Sequence, residues 1–161
     1  MKRAISVFGA SVPSEEERGL AFEVGKRLAA EGLVVVCGGL GGVMEAVCRG
    51  AKSLGGTTVG ILPGRDPDEA NPFVDIAIPT GMGEARNVII ARTGRAAVAV
   101  GGGLGTLSEI AVALRLGKTV VGLSTWRLDP ERAQGAPFIE AHSAQEAVSL
   151  ALSALSKTQG A

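Results

Sequence analysis

Aromatic side chains are scarce in this chain: they make up 3% of its 161 residues, and tyrosine is absent. No charge of one sign dominates either, because 16 basic side chains balance 16 acidic ones. Proteins that bind nucleic acids generally present a positively charged face, and those that bind single strands add aromatic rings for stacking. The composition supplies neither feature, so we expect no nucleic-acid partner.

Histidine and cysteine are nearly absent, and long apolar runs are missing. His142 alone cannot build a multi-histidine site, and Cys37 and Cys48 lack ligand spacing, so we predict no metal site and two buried free thiols. No run approaches about 20 apolar residues, so we expect no membrane partner. The apolar stretch 4–10 is too short for a signal peptide and predicts a first strand. We expect a cytoplasmic protein with one domain over residues 1–161.

Glycine, in contrast, is abundant, and its 24 residues are concentrated in turns after apolar runs. One turn, residues 37–42, follows an apolar run at 33–36, and a second, residues 101–106, follows a run at 96–100. Each turn precedes a helical pattern, so it brings free backbone N–H groups and the positive end of a helix dipole together. Glycine also lets the backbone approach a ligand closely. Two such turns predict a site for a phosphorylated, nucleotide-like molecule.

Apolar runs alternate along the chain with segments of helical period. Ser14 and Glu17 form a capping-box pattern at the first helix, and Gly32 is placed to end it. Strands that are apolar on both faces and alternate with helices predict a Rossmann-like doubly wound α/β fold, with a parallel sheet of about seven strands. Its ligand crevice should lie at the carboxyl ends of the strands, near the switch in strand order. Strands are predicted at 4–8, 33–37, 57–62, 74–78, 96–100, 118–123 and 137–140, and helices at 15–31, 42–54, 83–93, 107–116 and 144–155.

The sequence lacks the residue spacing that several cofactor-binding motifs require. The first strand-to-helix turn, residues 9–13, lacks the G-x-G-x-x-G pattern of dinucleotide-binding proteins, and the later loops break it at Met44 and Thr106. Residues 117–119 resemble the end of a P-loop, but Val112 occupies the required glycine position. No lysine lies in a glycine loop, where pyridoxal phosphate would need one. We therefore predict no cofactor.

Three loops carry the remaining chemistry. Residues 38–45 read GGLGGVME, residues 80–87 read TGMGEARN, and residues 101–109 read GGGLGTLSE. Together these motifs resemble the Lonely Guy family of nucleoside 5′-monophosphate phosphoribohydrolases, which are often mislabelled as lysine decarboxylases. The resemblance runs from the first strand to Leu123, and it is strongest to a short bacterial branch that is similar to molybdenum-cofactor carrier proteins.

The resemblance implies roles for individual residues. In the family the third loop reads PGGxGTxxE and the second contributes an arginine, so Glu109 matches the catalytic glutamate and Arg86 the catalytic arginine. Gly101 stands where the hydrolases have proline and Asn87 where they have lysine, and both departures favour the carrier-like branch. The predicted phosphate- and nucleotide-binding positions, taken from this match and from the glycine turns, are Gly38, Gly39, Gly41, Gly42, Thr80, Gly81, Gly83, Gly102, Gly103, Leu104, Gly105 and Thr106.

The implied reaction is cleavage of the N-glycosidic bond between a purine-type base and ribose 5-phosphate, and not decarboxylation of lysine. Glu109 would stabilise an oxocarbenium-like state and help activate water, while Arg86 would hold the phosphate or the ribose. The alternative is a non-catalytic carrier of a phosphorylated ligand such as the molybdenum cofactor. In both cases the partner is a nucleotide or another phosphorylated small molecule, and the resemblance implies a homodimer or homotetramer.

The residues by themselves leave other interpretations open. Thr106 and Glu109 fit a capping box, so Glu109 could satisfy helix amides only. Arg86 could be a solvated helix charge, and Glu45 a partner of the helix dipole. The glycines of the first loop could serve a tight turn alone, and Trp126 is assigned no role. Some apolar positions could belong either to a subunit interface or to the core: Val88, Ile89, Ile110, Ala113 and Leu114.

Overall fold

Seven parallel strands form one sheet in a computed structural model that describes residues 3–157. The strands are β1 (Ala4–Gly9), β2 (Val34–Cys37), β3 (Thr58–Leu62), β4 (Ile76–Pro79), β5 (Ala96–Val100), β6 (Val120–Leu123) and β7 (Phe138–Ala141). The helices are α1 (Glu15–Ala30), α2 (Val43–Lys52), α3 (Asn87–Thr93), α4 (Leu104–Arg115) and α5 (Ala144–Lys157). Short 3₁₀ helices lie at Pro67–Glu69 and Gly83–Arg86. The order across the sheet is β4-β3-β2-β1-β5-β6-β7, which confirms the predicted fold class.

The centre of the sheet is apolar on both faces. Every residue of β5 is buried, and Ile5, Val7 and Phe8 of the neighbouring β1 are also buried. Helices can cover both faces because these side chains carry no polar group that needs a partner. The ladder between the two strands runs in register from Ile5 opposite Ala96 to Gly9 opposite Val100, so both strands end at the same edge.

The helices divide between the two faces. The core on one face includes residues of α1, α2 and α5, and the core on the other includes residues of α3 and α4. Two glycines let α1 and α2 pack backbone against backbone: a β-carbon at Gly25 would lie 1.9 Å from the Val47 carbonyl oxygen, and one at Gly50 would lie 1.9 Å from that of Phe22. In the described part of the chain, none of the helices combines the length and apolar character needed to cross a membrane.

The predicted start and end of α1 are confirmed. The Glu17 amide donates to Ser14 Oγ at 3.2 Å, and the Ser14 amide donates to Glu17 Oε2 at 2.8 Å, which completes the capping box. At the other end Gly32 has a φ of +68°, where a β-carbon would be strained, and its amide donates to the Ala29 carbonyl at 2.9 Å.

Two predicted helix starts are shifted. Helix α4 begins at Leu104 and not at 107, because Gly103 has extended backbone angles and acts as the N-cap inside the glycine run. The segment predicted as one helix from residue 83 is a 3₁₀ helix that becomes α-helical at Asn87. Its positive-φ glycines, Gly81 and Gly83, turn the chain sharply before the helix can start.

Candidate functional site

The strand order switches direction at β1, which lies between β2 and β5. Helices that follow strands on the two sides of such a switch lie on opposite faces, so the loops separate and leave a crevice. The loop after β2 begins at Gly38, and the loop after β5 begins at Gly101. The two predicted glycine loops therefore flank the switch point at the carboxyl edge of the sheet.

The first loop, Gly38–Gly42, lies close to several neighbours. A β-carbon at Gly38 would lie 2.4 Å from Arg86 Nη1, and one at Gly42 would lie 2.4 Å from the Ala10 carbonyl oxygen. The Asn71 side chain stabilises the loop, because its Nδ2 donates to the carbonyls of Gly39 at 3.2 Å and Leu40 at 2.9 Å. A side chain at position 38 would therefore displace the ends of Arg86 and Met44, so this glycine does more than form a tight turn.

The third loop, Gly101–Gly103, leads directly into α4. Gly101 and Gly102 have φ values of +56° and +102°, and a β-carbon at Gly102 would lie 2.1 Å from Thr106 Oγ1. The first intrahelical bond runs from the Leu107 amide to the Gly103 carbonyl at 3.1 Å. The three preceding helical amides, those of residues 104–106, have no acceptor within the helix and can donate to an anion. Space beside Gly103 and Gly105 is open, because a β-carbon at either would meet nothing within 4 Å.

The second loop uses its polar groups internally. Thr80 Oγ1 donates to the Leu62 carbonyl at 2.7 Å. The Gly81 amide donates to the Gly64 carbonyl at 2.7 Å, and the Gly83 amide donates to the Pro63 carbonyl at 3.0 Å. These three residues hold the loop against the end of β3 and present Arg86 to the crevice, and their own contact with a ligand stays a prediction.

Arg86 is buried at the end of this loop, with 8% of its surface exposed. Its guanidinium lies beside Gly38, and its Nε is buried without a hydrogen-bond partner. Burial lowers the pKa of Arg86, and the nearby acidic groups of Glu109 and Cys37 oppose that shift. The group remains a cation at neutral pH, because guanidinium does not lose its proton in proteins. The interpretation of Arg86 as a solvated helix charge is therefore wrong.

Glu109 lies on α4 and is also 8% exposed. Burial raises the pKa of Glu109 to about 8, although the charge of Arg86 acts in the opposite direction. The carboxyl group is therefore mostly protonated at neutral pH. The capping-box interpretation of Glu109 is wrong, because the N-cap is Gly103, which makes no side-chain cap bond, and Thr106 is already inside the helix.

Two contacts at the site were not predicted from sequence. Trp126 Nε1 donates to the Gly103 carbonyl at 3.0 Å, and Thr125 Oγ1 donates to the Gly101 carbonyl. These bonds hold carbonyl groups of the third loop toward β6, away from the crevice. The only available signal was that both residues follow β6, the strand next to β5. Among the described residues, no group of three His, Cys, Asp or Glu side chains could hold a metal ion.

A family model matches residues 2–154, and its description is the SLOG cluster4 family. The chain belongs to this family. This SLOG protein is 54% identical over 119 residues to a protein of Archaeoglobus fulgidus, a match that covers 74% of this chain and 78% of the relative. The predicted resemblance to Lonely Guy-like proteins and molybdenum-cofactor carriers is confirmed at the level of the family.

Two solved structures resemble the SLOG protein along nearly its whole length. The molybdenum cofactor binding protein of the phototrophic bacterium Rippkaea orientalis is 35% identical with a TM-score of 0.91, over 96% of this chain and 98% of that one. The molybdenum cofactor carrier protein of Chlamydomonas reinhardtii is 36% identical with a TM-score of 0.86, over 97% and 99%.

Proposed function

We propose that this protein binds a phosphorylated small molecule at the carboxyl edge of its sheet and carries it without turnover. The observation that carries the proposal is Arg86, a buried cation whose Nε has no partner and whose acidic neighbour Glu109 is mostly protonated at neutral pH. A buried guanidinium N–H without an acceptor is costly, and an anionic ligand would supply that acceptor together with a negative charge. The open amides at the start of α4 offer the donors for its phosphate.

The proposed ligand class is the molybdenum cofactor. The two structural neighbours are a binding protein and a carrier protein for this cofactor, and they match almost the whole chain at 35% and 36% identity. Gly101 and Asn87, which replace the proline and the lysine of the hydrolases, also support binding without catalysis.

The test is retention of molybdenum cofactor released from a purified molybdoenzyme. After mixing and gel filtration, molybdenum and oxidised pterin fluorescence should elute with the wild-type protein and not with Gly103→Val, whose added side chain occupies the space beside the third loop. AMP incubated with the wild type should remain intact. Elution of molybdenum with the small molecules would contradict the proposal.

A second candidate is the phosphoribohydrolase, and the electrostatic interaction between buried Glu109 and Arg86 favours it. In that case the wild type releases base and ribose 5-phosphate from AMP. Glu109→Gln should lower turnover by about 100-fold or more, the scale of losing an acid–base group. The rate should rise as the pH passes about 8, because the reaction uses the ionised carboxylate. Absence of base release from every purine monophosphate would remove this candidate.

A further inference from the structure

The two cysteines of the chain lie side by side next to the first glycine loop. Cys37 is the last residue of β2, and Cys48 lies on α2, the helix that follows the loop. Their sulfur atoms are 3.5 Å apart, both thiols are free, and both are buried. A disulfide needs about 2.05 Å between the sulfur atoms. The pair is therefore close enough to bond after a small side-chain movement.

The surroundings distinguish the two sulfur atoms. The Gly39 amide donates to Cys37 Sγ at 3.4 Å, and the positive charge of Arg86 acts on the same thiol. The hydrogen bond from Cys48, followed by the Gly39 amide and Arg86, lowers the pKa of Cys37 against the effect of burial. The pKa of Cys48 is raised by Cys37 and by burial, so Cys48 remains a thiol. The Gly39 amide contact and the charge of Arg86 both favour a thiolate at Cys37, so Cys37 is assigned as the nucleophile, because the thiolate is the reactive form.

The glycine-rich loop between Cys37 and Cys48 is the route by which a small oxidant would reach the Cys37 sulfur. The Gly39 amide contact places loop backbone directly against Cys37 Sγ. Four of the five loop residues, Gly38–Gly42, are glycines, and Gly41 is exposed with nothing within 4 Å of a β-carbon position. A small oxidant would reach the sulfur through local opening of this segment, without unfolding of the sheet.

We propose that Cys37 and Cys48 form a reversible intramolecular disulfide on reaction with a hydroperoxide, which links β2 to α2 beneath the Gly38–Gly42 loop. The Cys37 thiolate attacks the peroxide, the O–O bond breaks, and an alcohol or water leaves as Cys37 becomes a sulfenic acid. The Cys48 thiol then attacks the Cys37 sulfur, the S–O bond breaks, and the thiol proton leaves with the hydroxyl group as water. Two thiols are oxidised, and one peroxide is reduced by the two electrons they lose.

The modification would act on the candidate site through Gly38. This glycine follows Cys37 in the chain and contacts Arg86, so a covalent link at Cys37 ties the position of the loop to the redox state of the pair. The thiol chemistry needs no phosphorylated ligand, so its test is independent of the proposed function.

The experiment treats the reduced, full-length protein with excess hydrogen peroxide, then denatures it in the presence of an alkylating agent. We expect a monomeric product that has lost the mass of two hydrogen atoms, takes up no alkyl group, and returns to two alkylated thiols after dithiothreitol. Peptide mapping should join the Cys37 and Cys48 peptides. Alkylation of both cysteines after peroxide treatment would overturn the proposal, and so would a link between two chains.

Single variants test the order of the steps. Cys48→Ser should stop at the sulfenic acid, which dimedone traps on Cys37, whereas Cys37→Ser should leave Cys48 unmodified. Dimedone labelling of Cys48 alone would overturn the assignment of the nucleophile. Thermal unfolding of both variants checks that they are folded, and the wild-type mass measurement decides the proposal if they are not.

Discussion

Glu109 and Arg86 give the site a charge that depends on pH. At neutral pH the carboxyl group is mostly protonated, so it does not cancel the positive charge of the Arg86 guanidinium. A protonated carboxyl can also donate a hydrogen bond to a phosphate oxygen. Ionisation of Glu109 would replace that donor with a negative charge that repels the ligand.

The affinity for a phosphorylated ligand should therefore fall as the pH rises through about 8. We expect AMP or the molybdenum cofactor to bind roughly tenfold more weakly at about pH 9.5 than at about pH 7, as electrostatic shifts of this size imply. Calorimetric titration across this range measures the change, and Glu109→Gln, which cannot ionise, should show a flat profile. An unchanged wild-type affinity would mean that Glu109 does not face the ligand.

Replacement of Arg86 removes the buried cation itself. Arg86→Ala should weaken phosphate-ligand binding by about tenfold or more, because a hydrogen bond to a charged group contributes about 1.5–3 kcal/mol. Arg92→Ala removes an exposed arginine and is the matched control. Equal affinities of the two variants, measured by the same titration, would place the ligand elsewhere.

Among the elements, the start of α4 is the predicted source of phosphate-binding amides. Gly103→Val adds a side chain where nothing lies within 4 Å, so the fold should persist while the approach to the helix amides is blocked. We expect at least about tenfold weaker binding of AMP, since anion recognition here depends on backbone groups. Gly19→Val, at an exposed position of α1 with equally open space, should bind normally. Normal binding by Gly103→Val would contradict the role of this helix start.

The shape of the first glycine loop depends on Asn71, a buried residue in the connection between β3 and β4. Asn71→Ala removes the donors to the Gly39 and Leu40 carbonyls and should lower the free energy of unfolding by about 1–3 kcal/mol. Chemical denaturation measures this loss, with Gln145→Ala on the exposed side of α5 as the control. A loss no larger than that of the control would show that the loop holds its shape without Asn71.

At the scale of the whole molecule, self-association stays a prediction. The edge strand β4 leaves Ile76 and Ile78 exposed at 50% and 42%, and Val88 on α3 is 40% exposed. Exposed apolar side chains of this kind favour contact with another protein surface. Light scattering should give a mass of two or four chains of 16.2 kDa, and a monomer mass at micromolar concentration would contradict the prediction.

Most of the fold follows from local patterns in the sequence. The alternation of apolar runs with helical periods predicts all seven strands, including the short β7, because side-chain periodicity is a property of neighbouring residues. Local residue patterns also predict the capping box at Ser14 and the end of α1 at Gly32. The predicted starts of α3 and α4 differ from the observed ones. Positive-φ glycines precede both helices, and glycine permits several backbone conformations, so the sequence does not fix where the helix begins.

Local patterns along the chain were enough to predict the doubly wound sheet, the family motifs and the candidates Arg86 and Glu109. The folded structure was needed to show that both side chains are buried, that burial raises the pKa of Glu109, and that Cys37 lies beside Cys48. Burial and pKa depend on which distant segments meet, and here β2, α4 and the loop before α3 converge at one sheet edge. Such long-range contacts leave no periodic signal in the chain, whereas apolar spacing marks a helix or strand and a short residue pattern marks a cap.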